Sequence, residues 1–219
     1  MRKIAVFTGT RAEYGLLYWI IKGLSEAVEI DFLLYVGGSH LSQKYGNTVR
    51  HIEEDGFRIN ERLDFLDSSD TPTGIAKSMG SALVLAAEAF QRDNPDLLVV
   101  LGDRFEVMAI CQAAMLGCIP IAHIHGGETT EGLIDEAVRH SITKMSHLHF
   151  TATDAYRNRV IQLGEIPEKG FNVGAPGIDS IKSLKLIDRD ALTASLGFDV
   201  KEPFIVVTYH PVTLNKDGA

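Results

Sequence analysis

The stretch LGDRFEVMAICQAAMLGCIPIAHIHGGETTEGLIDEAVRH, Leu101 to His140, decides the fold. It holds the end of one apolar run, Leu97–Leu101, and the whole of another, Ile119–Ile124, both of strand length and bounded by turn residues. Between them Phe105–Leu116 is apolar over a helical length. Strand, helix, strand, with both strands apolar throughout, reads as a parallel pair joined by a helical crossover and covered on both faces. Each strand then empties charge into the turn that follows. Asp103 and Arg104 follow the first; His123, His125, Glu128 and Glu131 end or follow the second; Asp135, Glu136, Arg139 and His140 open the next helix. In an open parallel sheet, ligands bind beyond the carboxyl ends of the strands. Acids, bases and cations from three segments therefore converge on one place, which marks a candidate enzyme site.

The same alternation runs outward in both directions. Lys3–Phe7 is a short apolar strand closed by Thr8-Gly9-Thr10-Arg11, and Ala12–Ala27 carries Leu16, Leu17, Ile20, Ile21 and Leu24 at helical spacing. Ile30–Val36 reads as a strand, and Asn47–Glu54 and Ile75–Gln91 as helices, the longer one started by Thr71-Pro72-Thr73. Leu133–Met145 and Asp154–Leu163 are helical around a short strand, His147–Thr151. The expected fold class is α/β, a doubly wound parallel sheet of Rossmann-like type. Right-handed crossovers place the strand ends on one side. Pro167, Gly170 and the charges around them mark a boundary, so residues 1–168 are expected to form an N-terminal Rossmann-like domain. Phe171–Val173, a short helical stretch from Ile178 and the strand Pro203–Tyr209 follow. Too little chain remains for a second doubly wound domain. Residues 169–219 are expected to be the incomplete beginning of a nucleotide-binding Rossmann-like one.

Composition narrows the function classes. The chain has 219 residues, 45% of them hydrophobic, and a formal net charge of -8 from 21 basic and 29 acidic residues. No basic run is present, which argues against nucleic acid as a partner. An anionic ligand would need a local cluster of Arg and His. Cys111 and Cys118 read as reduced core thiols, since their spacing fits no C-x-x-C pair. No apolar stretch approaches the ~20 residues of a membrane span. The apolar run Ile4–Phe7 is too short for a signal peptide. A soluble, cytoplasmic protein without a membrane partner is expected.

The strand-end residues suit particular chemistry. Backbone N–H groups of Gly9-Thr10-Arg11 at a helix start can hold a phosphate, and Arg11 would add a guanidinium fork; a capped turn with a surface Arg is the alternative. The fingerprints G-x-G-x-x-G and G-x-x-x-x-G-K-[ST] are both missing, which disfavours a dinucleotide site and a P-loop. Asp103 either caps the following helix or aims a carboxylate into the cleft. His123 and His125, one strand step apart, are expected on one face. Five of the eight His fall between 123 and 149. Such a cluster suits either a metal or proton transfer; the helical H-E-x-x-H geometry is missing, and no metal is expected. Asp135 with Arg139, and Glu136 with His140, share a helical face.

Together the motifs resemble a known family. Gly9–Leu17 (GTRAEYGLL), Tyr45–Thr48 (YGNT), Leu101–Glu106 (LGDRFE), His123–Glu128 (HIHGGE), Asp135–Lys144 (DEAVRHSITK) and His210–Thr213 (HPVT) are similar to those of the hydrolysing UDP-N-acetylglucosamine 2-epimerases of sialic-acid-type biosynthesis. The resemblance implies a two-domain architecture of the GT-B type, here with the second domain truncated, and a nucleotide sugar between the domains. It implies loss of UDP with the C2 proton, then water addition at C1 with reprotonation at C2, giving a free C2-inverted sugar. No cofactor is implied, and a homo-oligomer, dimer or tetramer, is expected. Asp103 and Asp135 match acid/base positions; Arg11, Arg139 and His210 match positions that hold or stabilise the diphosphate; Arg104 and His125 are expected beside the substrate. Some relatives carry Glu where this chain has His125, which makes Glu128 the nearest carboxylate replacement. The longer loop Thr129–Gly132 keeps open a modified sugar such as a UDP-2,4-diacetamido-2,4,6-trideoxyhexose. A GT-B glycosyltransferase, a non-hydrolysing epimerase and a non-catalytic nucleotide-sugar-binding module are the competing classes. The first loop, Thr10-Arg11-Ala12-Glu13, departs from the T-R-P-E of the non-hydrolysing enzymes.

Overall fold

A computed structural model of the chain describes residues 1–200 and 204–208. Strand β1 (Arg2–Thr8) leads into helix α1 (Arg11–Glu26), and β2 (Ile30–Gly37) leads through two short 3-10 turns into α2 (Val49–Glu54). Then follow β3 (Glu61–Leu63), α3 (Pro72–Asp93), β4 (Leu97–Leu101), α4 (Phe105–Leu116), β5 (Ile121–Ile124) and α5 (Asp135–Met145). Strand β6 (Leu148–Thr151), α6 (Asp154–Gln162), β7 (Gly170–Asn172), α7 (Pro176–Ser183) and α8 (Arg189–Leu196) complete the described elements.

Among the described residues the strands form one sheet of order β3-β2-β1-β4-β5-β6-β7, every pairing parallel. The α/β, doubly wound, Rossmann-like reading is therefore correct. The chain builds outward from β1 to β3, then returns to the other side of β1 with β4. This reversal leaves a crevice beyond the ends of β1 and β4, where such sheets bind ligands.

Strand alternation divides the core in two. Ala5, Phe7, Leu33, Tyr35, Leu98, Val100 and Ile121 pack under α3, α4 and α5. Val6, Leu34, Val36, Val99, Leu101, Ala122 and Ile124 line the opposite face, with Tyr14, Leu17 and Ile21 of α1 and Val49 and Ile52 of α2. This is why the strands read as unbroken apolar runs: both faces are inside. Helix ends carry their expected chemistry. Thr71 caps α3 by accepting from the Gly74 N–H at 3.2 Å, and Pro72 stands in the first turn, where its missing N–H costs nothing.

Four expectations are corrected. Strand β3 went unpredicted, although Arg62, Leu63, Asp64 and Phe65 alternate exposed and buried. Phe171–Val173 does not open a second sheet: Gly170, Phe171 and Asn172 pair with His149, Phe150 and Thr151 as the seventh strand of this one. Helix α7, beyond it, packs back on α1, and the Ser180 hydroxyl donates to the Gly15 carbonyl at 3.3 Å. Cys118 is not a core thiol. Unlike buried Cys111 it is exposed, in the turn that ends α4. The expected strand Pro203–Tyr209 lies partly outside the described residues; within them, Phe204–Thr208 pairs with no strand. No helix among the described residues is long and apolar enough to cross a membrane.

Leu34 is fully buried at the centre of the α1 face. Leu34→Ala should lower stability by about 2–5 kcal/mol, the usual cost of such a cavity. Urea unfolding followed by circular dichroism measures it, and a loss below ~1 kcal/mol would mean that α1 settles into the gap.

Candidate functional site

The first wall of the crevice is the turn between β1 and α1. Thr10 caps α1, its hydroxyl accepting from the Glu13 N–H at 3.3 Å, and the Glu13 carboxylate reaches back to the Gly9 N–H at 2.8 Å. Thr-x-x-Glu is the capping-box pattern, here with the return bond made one residue ahead of the cap. This return draws Glu13 indoors, where it meets a second buried carboxylate, Glu106, from the first turn of α4. Between them lies Arg104, whose Nε donates to Glu106 Oε1 at 2.7 Å and stands 3.8 Å from Glu13 Oε1. The close approach needs Gly9: a Cβ there would sit 2.9 Å from Glu106 Cγ. Burial, with the Glu106 charge beside it, pushes the Glu13 carboxyl up from 4.5 to about 8. At neutral pH it holds its proton.

The second wall is built where β4 and β5 end. Asp103 is not the cap of α4; that position belongs to Arg104, which makes no side-chain capping bond. Asp103 instead forms an ion pair with Arg139 of α5. Arg139 is buried, and its Nη1 donates to the Glu128 carbonyl at 3.0 Å while Nη2 also donates to the Thr130 hydroxyl at 2.9 Å. Asp135, first residue of α5, is not its ion-pair partner despite the helical spacing. The Asp135 carboxyl is held above the ordinary range by partial burial and then by the Asp103 charge, with Arg104 and Arg139 pulling the other way. Asp103, Arg104, Asp135 and Arg139 thus share one neighbourhood.

The two imidazoles of β5 part company. His123 is fully buried, its Nε2 2.7 Å from the Gly102 carbonyl and its Nδ1 3.2 Å from the Thr143 hydroxyl. Burial drives it down to about 4, so it is neutral. His125 follows the last strand residue with a left-handed backbone, φ +66°, and its Nδ1 bonds the Glu128 carboxylate. That bond is the main reason the Glu128 carboxyl titrates below its ordinary range. Gly127, φ +79°, turns the loop beneath them, in a place where a Cβ would collide with the Tyr156 carbonyl. Among the described residues no three His, Cys, Asp or Glu side chains meet as metal ligands would.

Arg11 is exposed and lines, with Thr10, Arg104 and Glu106, a cavity of about 490 Å³. On its far side stand Tyr45, from the quoted YGNT motif, and four residues the sequence did not single out, Ser39, Asp67, Ser69 and Asp70, all contributed by the turns after β2 and β3. Tyr45 donates to Asp70 at 3.0 Å, and Asp67 accepts from the Ser69 N–H at 2.9 Å, so this wall is held rigidly. The YGNT motif has a structural reason as well. Thr48 lies 2.8 Å from His40 Nδ1, and His40 Nε2 lies 3.1 Å from the Thr8 hydroxyl at the end of β1. Burial lowers His40 to about 4, which makes it a neutral prop. Glu13 and Glu106 were missed too, although both stand inside quoted motifs. His210 lies outside the described residues.

Comparison with known proteins adds kinship. The family described as UDP-N-acetylglucosamine 2-epimerase matches residues 22–219. A Legionella pneumophila protein named UDP-N,N'-diacetylbacillosamine 2-epimerase (hydrolyzing) is 42% identical over all of this chain and 58% of its own length. The Escherichia coli polysialic acid biosynthesis protein P7 is 43% identical over 98% of this chain and 55% of its own. The chain thus spans little more than half the length of these relatives. In structure it resembles the Methanocaldococcus jannaschii UDP-GlcNAc 2-epimerase solved with UDP-GlcNAc and UDP. The TM-score is 0.74 at 24% identity, over 88% of this chain and 53% of that one.

The Glu13 proton gives a testable sign. A carboxyl raised on folding contributes stability below its unfolded value and loses it as pH climbs towards the folded one. From pH 4.5 to about 8 the wild type should therefore lose stability at this site. Glu13→Gln carries its hydrogens permanently and should gain on the wild type across that window, levelling off above it. Thermal melts from pH 5 to 9 check this; a constant difference would mean that Glu13 is ionised throughout.

Proposed function

The chain belongs to the UDP-N-acetylglucosamine 2-epimerase family, and we propose that its protein is a hydrolysing 2-epimerase of a UDP-2-acetamido sugar. The observation that carries the reading is the Asp103–Arg139 ion pair beside a raised Asp135, at the ends of the central strands and next to a cavity bearing Arg11 and Arg104. Cations and carboxyl groups are what such a reaction needs. Arg11 and Arg104 take the diphosphate, for which a guanidinium fork is the fitting donor. One group removes the C2 proton; the C–H electron pair becomes the C1=C2 double bond, and the C1–O pair leaves with UDP. Water then adds its hydroxyl at C1 while an acid returns a proton to C2 from the opposite face, and the water's second hydrogen restores that acid. Asp135, the first residue of α5 and a neighbour of Asp103, is the acid. Asp103 holds Arg139 against the developing charge, and Glu128 and His125 serve the C2 position. His210 stabilises the leaving diphosphate.

The substrate we favour is a UDP-2,4-diacetamido-2,4,6-trideoxyhexose over UDP-N-acetylglucosamine. The support is the name of the Legionella relative, whose sugar is of that class. A second domain, starting beyond β7, would close the crevice as in a GT-B enzyme. A cytoplasmic homo-oligomer that needs no cofactor accompanies this reading.

Full-length protein given either sugar in deuterated water should release UDP and a free sugar carrying one deuteron at C2, read by NMR. Retention of C2 protium would sink the elimination route. Asp135→Asn should slow formation of the free C2-inverted sugar by at least ~100-fold, the lower range for a lost positioned acid. A near-wild-type rate would return Asp135 to the role of a helix-start carboxylate.

A further inference from the structure

Resting on the epimerase reading, we propose that His125 is the base that takes the C2 proton and that Glu128 is the residue that positions it. A carboxylate can only accept, so the Glu128 bond places the hydrogen on Nδ1 and leaves the lone pair on Nε2. Nε2 is buried and has no hydrogen-bond partner among the described residues. A buried acceptor left open costs free energy, and so does a His with φ +66°. Two costs at one residue beyond the carboxyl end of β5 point to a ligand rather than to packing.

The neighbours are more fully engaged. Both ring nitrogens of His123 are engaged, by the Gly102 carbonyl and the Thr143 hydroxyl. Asp103 is held by Arg139. Glu128 has one oxygen on His125, and its backbone carbonyl is pinned by the Arg139 guanidinium, which locks the loop that carries it. The arrangement is a carboxylate–imidazole dyad. The carboxylate fixes the tautomer and ring orientation and stabilises the imidazolium formed when Nε2 takes the proton. The C2–H pair passes into the C1=C2 bond, the C1–O pair leaves with UDP, and the imidazolium later gives its proton to water. Asp135 returns the proton on the other face.

The test uses full-length protein and three variants. His125→Gly suits the left-handed backbone and leaves a gap for a small base. It should lower kcat by at least ~100-fold, with KM and UDP affinity within about threefold. Imidazole in the buffer should restore turnover, methylimidazoles of higher basicity more so. Glu128→Gln should lower kcat by about 10-fold in the wild type and add nothing to His125→Gly, because Glu128 acts through His125. If His125→Gly binds no UDP, His125→Gln, which keeps a donor towards Glu128, takes its place: lost turnover with UDP bound supports the dyad. Wild-type turnover by either variant, or a loss in His125→Gly that imidazole does not touch while UDP still binds, overturns it. Wild-type enzyme that releases no UDP from either sugar overturns instead the reading on which it rests.

Discussion

One guanidinium, that of Arg139, holds the site together. It ties the turn after β4, through Asp103, to the loop after β5, through the Glu128 carbonyl and the Thr130 hydroxyl, from a seat on α5. Three segments, the first of them 36 residues from Arg139, are thereby set in one geometry. The side chain is almost wholly buried, so the charge depends on these partners: a buried cation without them would cost several kcal/mol. The planar fork of Arg meets several acceptors in fixed directions, which a lysine ammonium could not do.

The remaining strand ends are held by neutral groups. Where a parallel strand stops, its last backbone groups lose their ladder partners while still inside the protein. His123 takes the Gly102 carbonyl, Glu13 takes the Gly9 N–H, and His40 takes the Thr8 hydroxyl. A neutral imidazole both donates and accepts, and burial keeps His40 and His123 neutral at ordinary pH. The rim of the crevice is therefore rigid without adding charge, and its charge is left to the residues that face the opening.

The sequence shows much of this and hides a definite part. Central strands are legible because burial on two faces leaves them apolar throughout, and Asp103 is legible because a carboxylate directly after such a strand stands out. Strand β3 escapes because it is three residues long, although its exposed–buried alternation is present. Glu13 and Glu106 escape for a different reason. A glutamate in the first turn of a helix is favoured by the helix dipole wherever it faces, so neither announces burial. Only the placing of β4 beside β1 brings the turns at Gly9–Glu13 and Gly102–Glu106 together. The wall of Ser39, Asp67 and Asp70 beside Tyr45 is likewise assembled from two loops, and apart from the YGNT motif their sequences read as plain polar turns.

That hidden pair bears directly on the charge of the crevice. Glu13 and Glu106 face a single guanidinium, and two buried carboxylates cannot both be neutralised by one cation. Burial and the Glu106 charge raise the Glu13 carboxyl, which favours its neutral form. Arg104 is anchored on its inner side by Glu106 and stays about half exposed, towards the cavity it shares with Arg11. A buried acid raised towards its neutral form thus adds little negative charge behind Arg104 and Arg11, in a chain whose net charge is otherwise -8.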